Sequence, residues 1–340
     1  MAPLPLIWIA NLGVARAWAR GLTFVVAYAL AGATAVLGLL DLGEGAAGLT
    51  PARALSVHGG LAFLVTGVLG GLALTEPARR AVGRVTAFDP ESPVHALALC
   101  GTILLAGFFI GTQLSTDVLA QEASASHIGV GDLAAQEVPF LAAALLGVGL
   151  LARRGPREAL ARLGLVRPLW WHVALALAVA GLLFAAGNLI DAAGQALDPN
   201  LMRRVNRASQ QVFGGLGGPL GIASLAIIPA LCEESLFRGA LQPKLGIVWV
   251  ALVFATFHAQ YGLSFDSLAV FVLACGLGLV RKFTNTTSSA VAHGAYNLLV
   301  GVGLGGGALL AGAGVELALL VVLVAVLFRA RASGERAARL

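Results

Sequence analysis

The stretch GPLGIASLAIIPALCEESLFRG, residues 218–239, decides the fold of this chain, because it is apolar over the length of a membrane helix. A helix needs about 20 predominantly apolar residues to cross a bilayer. The whole chain of 340 residues is similarly apolar: 58% of its residues are hydrophobic, 11% are charged, and the mean hydropathy is +0.88. We therefore predict an all-α fold, a polytopic transmembrane helical bundle, and exclude soluble, disordered, coiled-coil and disulfide-stapled classes.

Further apolar stretches predict about ten membrane spans, or roughly eight to ten, of which six form a C-terminal core. A short apolar stretch near the start, residues 4–9, has no basic residues before it, so we expect no cleaved signal peptide. The predicted spans are 21–40, 57–75, 95–113, 138–152, 170–190, 217–237, 245–261, 266–280, 288–305 and 308–328.

Loop charges predict the orientation in the membrane. Basic loops alternate with loops that lack Lys and Arg, such as residues 114–137, and this pattern places both termini in the cytosol. The net charge of +5 is explained by this topology, so we expect no nucleic-acid partner. The dominance of Arg over Lys suggests a GC-rich bacterial genome, and we expect the protein in the bacterial inner (plasma) membrane. Residues 200–213 disagree, because their three arginines fall on the outer side; they form an interfacial amphipathic helix, or the span count is wrong by one.

A basic linker, residues 153–167, divides the chain. Residues 1–168 form a region of about four spans that ends in this linker, and residues 331–340 form a basic cytosolic tail. The region between them, residues 169–330, contains nearly all the unusual polar residues of the predicted spans. We therefore expect the chemistry to lie in this C-terminal region.

Charged side chains inside a predicted span point to that chemistry, since each costs at least about 2.5 kcal/mol at the bilayer centre. Glu234 and Arg238 are four residues apart and lie on one helix face, so they can form an ion pair. Glu233 is rotated by about 100° from Glu234 and has no partner on its own helix. A buried carboxylate of this kind suits a general base. Alone, the motif is more typical of a charged helix end.

Two histidines in later spans each lie one helical turn from a second residue. Phe254 precedes His258 by four residues, so its ring can pack against the imidazole. His293 and Asn297 share a helix face and offer two neutral donors, which is what a developing oxyanion needs. Each pair alone is more typical of a span end or a helix–helix contact. Together with Glu233, the pairs supply the parts for peptide hydrolysis by an activated water.

The ordered motifs resemble those of the CPBP family, the CAAX proteases and bacteriocin-processing enzymes related to the Rce1-type CAAX prenyl endopeptidase. The resemblance covers roughly residues 170–328 and implies an intramembrane glutamic-type endopeptidase without a cofactor. It leaves the first four spans unexplained. The residues that carry it are Glu233-Glu234-x-x-x-Arg238, Phe254-x-x-x-His258 and His293-x-x-x-Asn297.

This resemblance also implies a role for each motif residue. Glu233 and His258 would activate the water, and His293 and Asn297 would form the oxyanion site. The substrate would be a membrane-associated protein or peptide in the lipid bilayer, although prenylated CAAX substrates are not expected in bacteria. Structural support would come from the remaining motif residues, Glu234, Arg238 and Phe254.

Other hypotheses remain open at this point. Glu233, His258 and His293 could hold zinc with a catalytic water, although the chain has no His-Glu-x-x-His pair and Asn297 suits a donor better than a ligand. The protein could instead be a non-catalytic scaffold or a bacteriocin-immunity protein, or a transporter that uses the same groups as a proton relay. Simple topology also places His258 nearer the outer end of its span, at a depth up to about 10 Å from the other groups. Tilted or offset helices around a water-filled cavity could absorb this difference.

Overall fold

The computed structural model describes residues 4–46 and 53–303, together with isolated positions between 314 and 324. Over these residues the chain is a bundle of α-helices and has no β-strand. Numbered in chain order, the helices are α1 Leu4–Leu12, α2 Ala17–Ala46, α3 Arg53–Ala73, α4 Glu76–Val85, α5 Pro93–Ser115, α6 Val118–Glu122, α7 Val130–Gly147, α8 Pro156–Leu163, α9 Trp170–Leu197, α10 Pro199–Phe213, α11 Pro219–Glu234, α12 Gln242–Leu245, α13 Ile247–Phe257, α14 Phe265–Phe283 and α15 Thr286–Val302.

Five helical stretches of the described chain are long and apolar enough to cross a membrane, and a sixth span results if one bent pair counts as one. The prediction of an all-α, multi-pass membrane protein is therefore confirmed, whereas the predicted count of about ten spans is not. The last predicted span, 308–328, lies outside the continuously described residues. The five stretches are Ala17–Gly43, Pro93–Ser115, Val130–Gly147, Trp170–Leu197 and Pro219–Leu245, and the bent pair is Val57–Ala73 with Glu76–Val85.

The shortfall lies mainly in the C-terminal half, where the helices are short or charged. Helix α13 has 11 residues, which is about 16 Å and only half of the hydrocarbon core. Helix α15 has 17 residues, and α14 carries Asp266 in its first turn and two basic residues in its last turn. Apolar composition therefore predicted these segments correctly as helices but not as full membrane spans.

Helix α7 begins eight residues before the predicted span 138–152. Its first turn is fixed at Gly129, whose backbone N–H donates to the Asp132 carboxylate at 2.9 Å. The prediction that the preceding loop extends to residue 137 is therefore wrong, because Asp132 caps a helix where its charge had indicated a loop. Glu137 consequently lies in the middle of α7, where it is buried.

Helix α10 is amphipathic, as predicted for residues 200–213. Its apolar face packs on the protein, where Val205 and Ala208 form a cluster with Leu119, and Tyr261 lies against that cluster. The opposite face is exposed and carries the arginines Arg203, Arg204 and Arg207. The helix therefore covers the segment that follows His258, and its predicted place at the membrane interface stays a prediction.

Helices α11 and α15 approach each other closely at Gly294. A Cβ atom on this glycine would lie 2.9 Å from the carbonyl oxygen of Ala226, which is too close for any other residue. The missing side chain lets the two backbones come together, and the neighbouring residue His293 reaches the end of α11. The close crossing therefore positions the polar groups of the third motif against those of the first.

Candidate active site

A buried ion pair at the end of α11 forms the centre of the site. Glu234 is fully buried, and its Oε1 atom lies 3.1 Å from a guanidinium nitrogen of Arg238. The pair predicted from the four-residue spacing is therefore present. Arg238 belongs to a π-helical segment, Ser235–Leu241, that continues α11. Such segments are rare in proteins, and those that occur are often found at functional sites.

Glu234 also holds helix α15, through two side chains that lie one turn apart. Its Oε1 atom accepts a hydrogen bond from His293 Nδ1 at 3.0 Å, and its Oε2 atom accepts one from the Ser289 hydroxyl at 2.5 Å. One carboxylate thus accepts two hydrogen bonds and forms an ion pair with one guanidinium, and both kinds of contact stabilise a charge that is kept away from water. Ser289 was not among the predicted site residues, although its position four residues before His293 was a usable signal.

His293 connects the two adjacent glutamates. A carboxylate can only accept, so Nδ1 carries the proton that is donated to Glu234. The other ring nitrogen, Nε2, lies 3.8 Å from Oε2 of Glu233. The earlier interpretation treated His293 as a neutral donor. With Nδ1 engaged in this way, Nε2 can donate only when the ring is doubly protonated, and otherwise it presents a lone pair.

Glu233 is the carboxylate without a full set of partners. Only 7% of its surface is exposed, and its Oε2 atom accepts no hydrogen bond from the described residues. The Nε2 atom of His293 lies 3.8 Å from this oxygen, beyond hydrogen-bond distance. The two glutamates therefore point to different surroundings, as the helix phase predicted. Both oxygens of Glu234 are engaged by protein donors, whereas Glu233 is able to bind a proton or a water molecule.

His258 ends helix α13, and its orientation is fixed by its own backbone. Its Nδ1 atom lies 3.0 Å from the carbonyl oxygen of Phe254. A carbonyl oxygen only accepts, so Nδ1 carries the proton and Nε2 presents a lone pair. A histidine in this form can accept a proton from water, which is the property required of a general base.

The ring of Phe254 joins the three motifs. It is fully buried and lies 4.6 Å from the His258 ring, 4.3 Å from the Arg238 guanidinium carbon and 6.1 Å from the His293 ring. The expected packing of Phe254 against His258 is present. Through the ring of Phe254, His258 lies in one cluster with His293 and Arg238, and its expected mismatch in depth stays a prediction.

Asn297 donates across to α11, at a point where a proline interrupts that helix. Pro229 has no N–H, so the carbonyl of Leu225 loses its partner four residues on. The Asn297 Nδ2 atom donates to this oxygen at 3.1 Å. An amide has two N–H bonds, so the second one is left for another acceptor. The link between Pro229 and Asn297 was not predicted from the sequence, because it exists only in the packed bundle.

No group of three or more His, Cys, Asp or Glu side chains within the described chain is arranged to hold a metal ion. Glu233, Glu234 and His293 are close together, but both Glu234 oxygens are already engaged by protein donors. The arrangement therefore suits proton transfer: one saturated carboxylate orients a histidine, and one unsaturated carboxylate faces it.

These features define a polytopic helical membrane protein with a buried carboxylate–histidine site. Residues 215–299, which contain all three motifs, match the family model described as type II CAAX prenyl endopeptidase Rce1-like. The predicted relation to the CPBP/Rce1-like family is confirmed for this part of the chain, and at family level it indicates an intramembrane protease of the CAAX type. No curated protein and no solved structure gives a significant match.

The Pro229–Asn297 link predicts a specific pattern of stabilities. Asn297→Ala leaves the half-buried carbonyl of Leu225 without a donor and is expected to lower the free energy of unfolding by about 1–3 kcal/mol. Pro229→Ala returns a backbone N–H to the same carbonyl. In the Pro229→Ala background, Asn297→Ala is therefore expected to cost much less. Thermal unfolding of the four proteins in one detergent measures this coupling.

Proposed function

We propose that this protein is an intramembrane endopeptidase that cleaves a peptide bond of a membrane-associated protein or peptide with an activated water. The observation that carries the proposal is the buried carboxylate of Glu233, which lacks a hydrogen bond at Oε2 and faces His293 within a segment of the Rce1-like family. A buried carboxylate oxygen without a hydrogen bond lowers the stability of the fold. A general base, however, needs such a free oxygen to accept a proton.

Water activation falls to Glu233 and His258. Both present unshared electron pairs, Glu233 through its Oε2 atom and His258 through Nε2. Glu233 takes a proton from the water as the water oxygen forms a bond to the peptide carbonyl carbon, and His258 accepts a hydrogen bond that orients the water. Glu233 then returns the proton to the amine nitrogen as the C–N bond breaks, so that base and acid are the same residue.

His293 and Asn297 stabilise the oxyanion of the tetrahedral intermediate. Asn297 uses its second N–H, because the first is held by Leu225. His293 donates from Nε2, which requires a doubly protonated ring while Nδ1 is bound to Glu234. Removing one donor of this kind typically lowers kcat by about 10²–10³. For Asn297→Ala this loss is expected with and without Pro229→Ala, which distinguishes it from the loss of stability.

The remaining motif residues hold this geometry. Glu234 anchors His293 and Ser289 of α15, and Arg238 neutralises its charge. Phe254 packs against Arg238, His258 and His293 and so holds the three motifs together. We assign the protease domain to residues 169–330 and place the protein in the bacterial inner membrane with both termini in the cytosol.

Substitution of the two adjacent glutamates tests the general base. Glu233→Gln keeps the size of the side chain but removes the base, so cleavage is expected to stop while the protein stays folded in detergent. Glu234→Gln is the matched variant one residue away, and it breaks the ion pair with Arg238. Because Glu234→Gln leaves the buried charge of Arg238 unpaired, this variant is expected to lower the free energy of unfolding by about 3–5 kcal/mol.

Comparative membrane proteomics of strains that express each variant identifies the substrate in the same experiment. Uncleaved precursors are expected to accumulate in the Glu233→Gln strain and to disappear when the wild-type gene is restored. Normal processing in the Glu233→Gln strain would contradict the general-base role and favour the non-catalytic scaffold or immunity protein.

Metal dependence separates this mechanism from the zinc hypothesis. We expect the purified protein to retain cleavage of an identified precursor after prolonged treatment with a strong chelator, and to contain far less than one zinc per chain. Stoichiometric zinc that is lost in both His258→Ala and His293→Ala would instead assign the protein to the zinc-dependent membrane proteases.

A further inference from the structure

A cavity of about 470 Å³ opens where α12 and the start of α13 meet the end of α14, and it takes no part in the mechanism above. Two of its lining side chains, Arg281 and Lys282, are basic. Three others are apolar, namely Pro243, Ile247 and Val248. Cations beside apolar walls indicate a site for an anion that also carries an apolar part.

The two cations of this cavity have no counter-ion within the described chain. Neither Arg281 nor Lys282 forms an ion pair with a carboxylate of the described residues. Residues 242–262 contain no Asp or Glu, and the single acid of α14, Asp266, lies in its first turn, roughly 22 Å along the helix from Arg281. The cavity therefore has two positive charges that the described protein leaves uncompensated.

Arg281 is held by packing against the end of α8. One of its terminal nitrogens lies beside Gly164, the residue that follows α8, at 3.2 Å from the position of an added Cβ atom. Its Nε atom is enclosed, and it has no hydrogen-bond acceptor among the described residues. Membrane topology explains a basic residue at the end of a span, but it does not explain an enclosed donor without an acceptor. An anion bound to the guanidinium would stabilise a charge that the protein leaves unpaired.

Helix α13 begins at the cavity, and its first turn also favours an anion. Gly246 lines the cavity and is the N-cap of α13, so no side chain caps the first N–H groups of the helix. The positive end of the helix dipole attracts negative charge at this point. This contribution adds to that of the two cations and does not replace it.

The exposed apolar face of α13 favours a lipid over a small soluble anion. Val248, which lines the cavity, and Leu252 lie four residues apart on one face of α13, and both are exposed. Trp249, beside Val248, is also exposed, and Trp side chains are enriched where lipid headgroups meet acyl chains. A phosphate group in the cavity therefore leaves its acyl chains beside an apolar surface.

We propose that this cavity binds the phosphate group of an anionic phospholipid. Arg281 and Lys282 are its charge partners, and its acyl chains lie along the exposed face of α13. Basic pockets between membrane helices are known to bind anionic headgroups. The bound lipid bridges α12 and α14, which the Gln242 side chain already links by donating to the carbonyl of Gly278 at 2.8 Å. The inference concerns binding alone and is independent of the proposed function.

Native mass spectrometry of the purified full chain in detergent tests this site with two lipids, dioleoylphosphatidylglycerol, which is anionic, and dioleoylphosphatidylcholine, which is zwitterionic. The wild type is expected to bind one phosphatidylglycerol at least about tenfold more tightly than phosphatidylcholine. In the double variant Arg281→Gln/Lys282→Gln this preference is expected to disappear. The matched control, Arg203→Gln/Arg207→Gln, removes two exposed arginines from α10 and is expected to keep the preference.

Inorganic phosphate and glycerol 3-phosphate distinguish a lipid headgroup from a soluble phosphate. Neither compound is expected to displace phosphatidylglycerol, even in large excess, because neither carries acyl chains. Displacement by either compound would overturn the lipid assignment and favour a soluble anion. Equal affinity of the wild type for the two lipids would overturn the inference, and so would an equal loss of preference in the control.

A single variant keeps the test decisive if the double variant does not fold. Lys282→Gln changes an exposed side chain, so the fold is expected to tolerate it. It is expected to lower the preference for phosphatidylglycerol by about threefold or more. An unchanged preference in folded Lys282→Gln would contradict the assignment of this side chain as a charge partner and with it the proposed site.

Discussion

The carboxylate of Glu234 is the interaction on which the rest of the site depends. It is fully buried, and it binds Arg238 on its own helix and Ser289 and His293 on α15. Without it, a buried guanidinium would lose its counter-ion, and the imidazole would lose the acceptor that fixes its tautomer. The adjacent residue, Glu233, can keep an oxygen without a hydrogen bond, because Glu234 already supplies the counter-charge for Arg238.

Backbone interruptions bring the polar groups to one place within an apolar bundle. Pro229 frees a carbonyl in α11, the π-helical segment displaces the residues after Glu234, and α13 ends early at Phe257. In a membrane each unpaired backbone group must find a partner inside the protein. Asn297 donates a hydrogen bond to the carbonyl of Leu225. The side chain that is proposed to act on the substrate therefore also replaces the backbone hydrogen bond that Pro229 removes.

Local sequence spacing predicted those parts of the site that lie on one helix. The ion pair of Glu234 with Arg238 and the ring contact of Phe254 with His258 both follow from four-residue spacing. Contacts between helices could not be read in this way, since the spacing on one helix does not show which partner faces it. The contact of Ser289 with Glu234 and the link between Pro229 and Asn297 both required the packed structure.

Composition predicted the fold class for a similar reason, because hydropathy reports whether a segment is apolar but not how far it extends across a bilayer. Helix α7 shows the limit: its charged first turns were interpreted as a loop, and Glu137 was thereby placed outside the bundle. The same helix packs on α11, so the N-terminal region contributes to the surroundings of a site whose motifs lie entirely in the C-terminal region.

The protonation of His293 is the most direct measure of this account. Solid-state ¹⁵N NMR of histidine-labelled protein in bilayers distinguishes the ring nitrogens, and comparison with His293→Gln identifies this residue among the six histidines. The account predicts a proton on Nδ1, bound to Glu234, and a change in its shift in Glu234→Gln. A neutral His293 that carries its only ring proton on Nε2 would contradict the central role of Glu234.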